Sequence, residues 1–369
     1  MKRLIPLVCA MSLLPQLARS STLFGLTDLV TDATDADLVN PWGISYPPTG
    51  PFWVSDNGTG KSTLYSVDPA TNATTKNGLV VAIPGVGNVT GQAFNPTAGS
   101  GQFNRDNFLF VSEDGTISGW RGALGTTAEV LQLASSDNVY KGSALATISG
   151  NSYLYSANFR AGTIDILKGD AGAPNLSGSF LDPNLPSGYA PFNVANLGGV
   201  LYVSYAVKDP LNPNDEASAL GNGIVDRYDL QGNLLKRVAT GGSLDSPWGL
   251  AIAPASFGTF AGDLLVGNFG DGKINAFDLS GDSFAGQLAD AQGDPLAIDG
   301  LWGLIPGNGG NAGNSESIYF TAGPGNEAHG RFGVLNAVPE PAAGVLVGMG
   351  LAALAVAKGW RAETAQLPA

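Results

Sequence analysis

Short apolar runs of four to six residues recur along the chain, separated by stretches rich in Gly, Asn, Asp and Ser. One class of run is apolar at nearly every position: Phe52-Trp53-Val54-Ser55, Phe108-Leu109-Phe110-Val111, Tyr153-Leu154-Tyr155-Ser156, Leu201-Tyr202-Val203-Ser204, Leu264-Leu265-Val266-Gly267 and Ile318-Tyr319-Phe320-Thr321. A run of that length and continuity fits a strand covered on both faces. A second class follows each of these and alternates, as in Thr63 to Asp68, Thr163 to Leu167 and Lys273 to Asp278. Alternation with period two fits a strand nearer solvent. Weaker runs come next: Leu79 to Ile83, Glu129 to Gln132, Ser179 to Leu181, Leu234 to Val238 and Phe284 to Leu288.

Each set is headed by one short motif. Asn40-Pro41-Trp42-Gly43-Ile44, Ser246-Pro247-Trp248-Gly249-Leu250 and Gly300-Leu301-Trp302-Gly303-Leu304 are clear copies. The first two tryptophans lie 206 residues apart, close to four units of about 50 residues. Degenerate copies fill the interval at Thr90-Gly91-Gln92, Lys141-Gly142-Ser143 and Phe192-Asn193-Val194. Six units of four strands predict an all-β, six-bladed β-propeller with four-stranded blades over residues 21–337. The sixth unit lacks a fourth run, and Ser21 to Thr27 is available to supply it and close the ring. Closure removes the free edges a lone sheet would expose. Trp42, Trp248 and Trp302 read as packing residues.

The ends depart from this pattern. Met1-Lys2-Arg3, the apolar stretch Leu4 to Leu14 and the small residues around Ala18-Arg19-Ser20 describe a cleavable secretory signal over residues 1–20. At the other end Val338-Pro339-Glu340-Pro341 precedes an apolar run, Ala342 to Ala357, and then Lys358, Trp360 and Arg361. Sixteen residues make a helix of about 24 Å. That is short for a hydrocarbon core of roughly 30 Å, unless Lys358 and Trp360 reach outward at the interface. The segment 338–361 resembles a PEP-CTERM sorting tail, with Pro339, Glu340 and Pro341 as its motif and 362–369 as an extension. That resemblance implies insertion in the inner membrane through Ala342 to Ala357 and processing by an exosortase-type protease. Release to the cell envelope or extracellular matrix would follow.

Composition sharpens this picture. Charged residues make up 13 % of the chain and glycines number 52, which suits turns and strands rather than helical bundles. Without the two ends, 13 basic residues face 29 acidic ones. So acidic a body repels nucleic acid. Cys9, the one cysteine, lies in the signal, so the exported body has no disulfide and no thiol chemistry.

Loops leading into the first strand of a blade, and loops joining its second and third strands, meet at one mouth of a propeller. Asn40, Lys141, Asp245 and Asp299 belong to the first set. Asp56, Asn57, Glu113, Asp114, Asn158, Asn268, Asp271, Asn326, Glu327 and His329 belong to the second. A ring of carboxylates and amides is the donor set of a hard cation such as Ca²⁺, with Asp245 and Asp299 as metal candidates. The same residues also make tight turns unaided. Asp32, Asp35 and Asp37 read as a solvated loop. His329, the sole histidine, sits near Glu327, which could orient it; His329 and Asp299 are the candidates for acid–base chemistry.

The repeat resembles the NHL-type propeller unit. The chain from 21 to 361 resembles a family of exported single-propeller proteins with PEP-CTERM tails. The resemblance rests on Asn40 to Ile44, Ser246 to Ala251, Gly267 to Gly272 and Phe320 to Gly330. It implies an envelope or matrix protein that meets the secretion machinery, signal peptidase and an exosortase, and it brings no established activity with it. The leading expectation for the body is a non-catalytic binding or scaffold module, with extracellular polysaccharide as one partner. Asp299-Gly300-Leu301 also resembles a loop of gluconolactonase-type enzymes, which implies the alternative of a metal-dependent lactonase or esterase.

Overall fold

The doubly apolar runs become the second strand of each blade, buried along their whole length. The computed structural model describes residues 22–86 and 88–338. Blade 1 comprises Pro41–Ser45, Phe52–Asp56, Lys61–Val67 and Thr74–Ala82. Blade 2 comprises Val89–Phe94, Phe108–Ser112, Ile117–Trp120 and Glu129–Gln132. Blade 3 has Tyr140–Ile148, Asn151–Asn158 and Thr163–Lys168. Blade 4 has Tyr189–Leu197, Val200–Val207, Ile224–Tyr228 and Leu234–Thr240. Blade 5 has Pro247–Ile252, Leu264–Asn268, Ile274–Asp278 and Ser283–Gln287. Blade 6 has Leu301–Pro306, Ile318–Ala322 and Arg331–Val338, and its outer strand is the N-terminal Leu23–Thr31.

The ring therefore closes as the sequence predicts. Leu23–Thr31 runs antiparallel to Arg331–Val338, from Leu23 against Val338 to Thr31 against Arg331. The first strands touch one another in blade order, and the first strand of blade 6 returns to that of blade 1. The core lies between neighbouring sheets. Blades 5 and 6 share Leu265, Ile274, Leu301 and Phe320, whereas blades 3 and 4 share Tyr155, Leu201, Val203 and Tyr228.

Blade 3 departs from the expected four strands. The Ser179 to Leu181 run is not a strand. The segment 169–188 carries Pro174, Pro183 and Pro186, which cannot donate to a ladder. Phe180 has φ +53°, outside the extended region. The amides of Gly178 and Phe180 bond to the carbonyls of Gln231 and Gly232, on the outer turn of blade 4. The Phe180 ring lies 5.6 Å from Tyr155 and 5.5 Å from Tyr228. The segment thus seals the junction of blades 3 and 4 instead of extending blade 3.

The residues expected to form the secretory signal (1–20), the Pro339-Glu340-Pro341 motif and the apolar run 342–357 lie outside the described residues. Among the described residues no helix is long and apolar enough to cross a membrane.

One device repeats in all six blades. The pairing of first and second strands skips at the head of each first strand: between Pro41 and Ile44, Val89 and Gln92, Tyr140 and Gly142, Pro191 and Asn193, Pro247 and Gly249, and Leu301 and Leu304. Such bulges re-aim side chains. At the skips stand Trp42, Thr90, Lys141, Phe192, Trp248 and Trp302, all buried. The next residue is glycine in five blades and Asn193 in the fourth. A methyl group on Gly43 would meet the Thr90 carbonyl at 2.5 Å, and one on Gly249 the Trp302 carbonyl at 2.8 Å. Only glycine lets the inner strands approach backbone to backbone there.

Candidate functional site

The bulges build an aromatic plug across the axis. Trp42 stacks on Trp302 at 3.5 Å, and Phe269 covers the other side of the cluster at 4.0 Å from Trp302. Trp248 meets Trp42 and Trp302 edge-on at 6.2 and 5.8 Å. The three tryptophans thus pack against one another across the ring, though blades 1 and 5 are not neighbours. Phe159 and Phe192 complete the cluster.

Above the plug is the polar mouth. Asn40 is 2 % exposed and is held at φ +46°, a conformation Asn tolerates. Its Nδ2 donates to Asn57 Oδ1 at 3.2 Å and to Glu327 Oε2 at 2.6 Å, while its Oδ1 accepts the Trp302 indole N–H at 2.9 Å. Asn57 Nδ2 donates to Glu113 Oε2 at 3.3 Å. Lys141 donates to Glu113 Oε1 at 2.6 Å and to Asp215 Oδ1 at 3.1 Å. Its ammonium also lies 5.2 Å above the Trp42 ring, within cation–π range. Only 2 % of the Lys141 side chain is exposed. Burial opposes its charge, but Glu113, Glu216 and Asp215 outweigh burial and hold the ammonium above its ordinary pKa. Burial pushes Glu216 up to about 7 despite Lys141, and also raises Glu327.

Asn40, Asn57, Glu113 and Glu327 therefore lie in one hydrogen-bonded cluster, which Lys141 joins through Glu113. The other expected residues are elsewhere. Asp56 is fully buried inside blade 1, where burial pushes its carboxyl well above the usual range. The charges bearing on it are Asp35, Asp37 and Lys76 rather than the Glu113–Lys141 pair. Asn158 braces a turn, donating to Asn138 at 2.9 Å and Asp165 at 2.8 Å. Asn268 does the same with Ser243 and Asp271 at 2.9 and 2.8 Å. Asp245 is buried against Gly270, and burial followed by the Asp271 charge raises its pKa. Asp299 is exposed and accepts the Gly325 amide at 3.0 Å.

Two expectations about oriented groups are corrected. The partner of His329 is Asp32, at 2.8 Å on the outer rim, rather than Glu327, which is engaged with Asn40. The His329 side chain is 62 % exposed. The Asp32–Asp37 segment is pinned rather than solvated: Asp35 accepts from Tyr65 and Lys76, and Asp37 from Lys61 and Lys76.

The donor set does not fit a divalent cation. Among the described residues no three His, Cys, Asp or Glu side chains are grouped to hold a metal. The Lys141 ammonium occupies the centre of the mouth, where it neutralises Glu113. Asp215 and Glu216 belong to the 208–223 connection between the second and third strands of blade 4. Asn214 ties this loop to Arg160 at 2.7 Å, and Ser218 ties it to Ser246 at 3.1 Å. As an insertion unique to one blade, it carries no repeat signal in the sequence.

Below the plug the axis is open. A cavity of about 230 Å³ is lined by residues two positions past each plug residue: Ile44, Gln92, Ser143, Val194, Leu250 and Leu304. It adjoins a cavity of about 600 Å³ at the opposite face, lined by residues four positions past: Tyr46, Phe94, Leu145, Asn196, Ile252 and Pro306. No Asp, Glu, Lys, Arg or His lines either one.

Two solved structures of glucose dehydrogenase share the fold. The TM-scores are 0.53 and 0.52, each at 12 % identity over 86 % of this chain and 100 % of theirs. No protein-family model matches the chain. Two proteins of Acanthamoeba polyphaga mimivirus are similar along most of their length. "Uncharacterized protein R648" is 32 % identical over 310 residues, covering 78 % of this chain and 72 % of that protein. "Uncharacterized protein L690" is 31 % identical over 309 residues, covering 78 % and 77 %. Similarity of that depth and extent makes this chain a member of the family that contains R648 and L690.

Proposed function

We propose that this chain is an exported, non-catalytic binding module of the cell envelope or extracellular matrix. The observation that supports it most is how the ionisable groups are distributed. At the mouth, Lys141 is paired with Glu113 and Asp215, Glu327 with Asn40, and His329 with Asp32 on the rim. Among these mouth groups Glu216 is poised near neutrality, and the charges bearing on it are Lys141, Asp215 and Glu327. None of these pairs a nucleophilic side chain with a base, the arrangement that covalent hydrolysis uses. The axial channel has room for a ligand but no acid or base to act on it.

The basic, apolar and small-residue blocks of 1–20 support export through the secretion machinery and signal peptidase. The Pro339-Glu340-Pro341 motif and its apolar run support a membrane-sorting step by an exosortase-type protease. Extracellular polysaccharide is a partner consistent with that destination. Two measurements test the reading. Cell fractionation should place the protein in the envelope or outside the cell, and deletion of 338–369 should change that distribution. Purified protein should show no turnover across a panel of lactones and esters, with or without added Ca²⁺. Turnover that disappears in Asp299→Ala or Glu216→Gln would overturn it.

A further inference from the structure

The axial channel has a chemistry of its own, and this inference rests on the binding-module reading above. Its wall carries no formal charge. Its amide nitrogens are consumed by the wall: Gln92 Nε2 donates to the Gly43 carbonyl at 2.9 Å, Asn193 Nδ2 to Trp248 at 2.7 Å, and Asn196 Nδ2 to Leu145 at 2.9 Å. A charged or strongly hydrogen-bonding ligand would lose its water there without compensation. The acidic body adds a further penalty for anions.

Two features favour one kind of guest. At the outer end Phe94, Leu145 and Ile252 are only partly buried and face one opening. Partly exposed apolar side chains gathered at one mouth mark a binding surface more often than scattered ones do. At the inner end Gln92 is 6 % exposed, and its Oε1, like the Ser143 hydroxyl, has no hydrogen-bond partner. A buried acceptor without a partner favours a ligand that brings one neutral donor. The aromatic plug stops the channel just beyond, so entry is from the Leu145 end.

We infer that the channel binds a slender, uncharged amphiphile, an aliphatic chain bearing a hydroxyl, with the hydroxyl at the Gln92–Ser143 layer and the chain against the Phe94–Leu145–Ile252 collar. The volume of the outer cavity, about 600 Å³, lies within the range of small-molecule sites.

The test is isothermal titration of the full-length protein with 1-octanol, and with octanoate at pH 8. One saturable site per chain is expected, with octanoate at least tenfold weaker. Leu145→Lys, at the partly exposed rim, should weaken octanol at least tenfold while its melting temperature stays within a few degrees of the parent. Ile252→Lys serves if the first variant fails to fold. No saturable octanol site, equal binding of octanoate, or unchanged affinity in the folded rim variant would overturn the inference. Absence of octanol binding without ester turnover leaves the non-catalytic reading standing, whereas turnover removes that reading whatever octanol does.

Discussion

Replacing Trp302 by alanine removes the piece on which the plug is assembled. The ring is 1 % exposed, stacks between Trp42 and Phe269, and contacts Trp248 edge-on. Truncating a buried tryptophan costs about 3–5 kcal/mol. The loss of two stacked partners puts this site at the upper end, since each aromatic pair adds about 0.5–1.5 kcal/mol beyond area. Asn40 Oδ1 also loses the indole N–H at 2.9 Å, which adds about 1 kcal/mol. The sum is about 4–6 kcal/mol. Unfolding entropy is about 2.1 cal/mol/K per residue, so a ring of roughly 320 residues should lose about 6–9 °C in melting temperature. Trp302→Phe keeps the stack but not the donor and should lose about a third of that. Calorimetry on both variants is the assay. A Trp302→Ala melt within 2 °C of the parent would refute the claim that the plug holds the ring together.

Other outcomes follow from the same structure. Gly91→Ala drives a methyl group into the Ser143 backbone and should yield little folded protein, read by circular dichroism and size-exclusion chromatography. Deleting residues 1–31 removes the strand that pairs with Arg331–Val338 and should leave blade 6 with an open edge, giving aggregation at concentrations where the parent is monodisperse by light scattering. Glu216 has a folded pKa near 7, above its unfolded value of about 4.3. The folded state therefore holds the extra proton, and the contribution of Glu216 is full below about pH 4 and lost as pH rises through 7. Glu216→Gln should accordingly raise the melting temperature at pH 8 relative to the parent and much less at pH 5. Equal effects at both pH values would show that this carboxyl does not titrate in that interval.

Much of the ring is legible along the chain because the physics repeats. Six doubly buried second strands demand six apolar runs, and five of the six bulged first strands place a buried residue directly before a glycine. That is why Thr90-Gly91 and Lys141-Gly142 can be recognised beside Trp42-Gly43. The missing fourth strand of blade 3 is not legible, because Ser179 to Leu181 has the right residue types and only the contact with the blade 4 turn diverts it. At the mouth, Asn40, Asn57, Glu113 and Glu327 follow from loop position alone. Asp56 fails because it is still inside the buried strand, one residue before the turn that carries Asn57. Asn158 and Asn268 serve the turns that carry them, as Asx residues commonly do. Asp215 and Glu216 come from a connection outside the repeat. Lys141 reads in the sequence as one more residue leading into a first strand, and its central role emerges only from burial under that insertion.

The central claim is that a lysine, rather than a metal ion, balances the carboxylates of the mouth. Anomalous diffraction from crystals soaked in manganese tests it most directly. The expected map has no peak among Glu113, Asp215, Glu216 and Glu327, with the Lys141 ammonium within hydrogen-bond distance of Glu113. A peak coordinated by Glu113 and Glu327, with Lys141 displaced from the plug, would contradict the account and restore a metal-dependent reaction at the mouth.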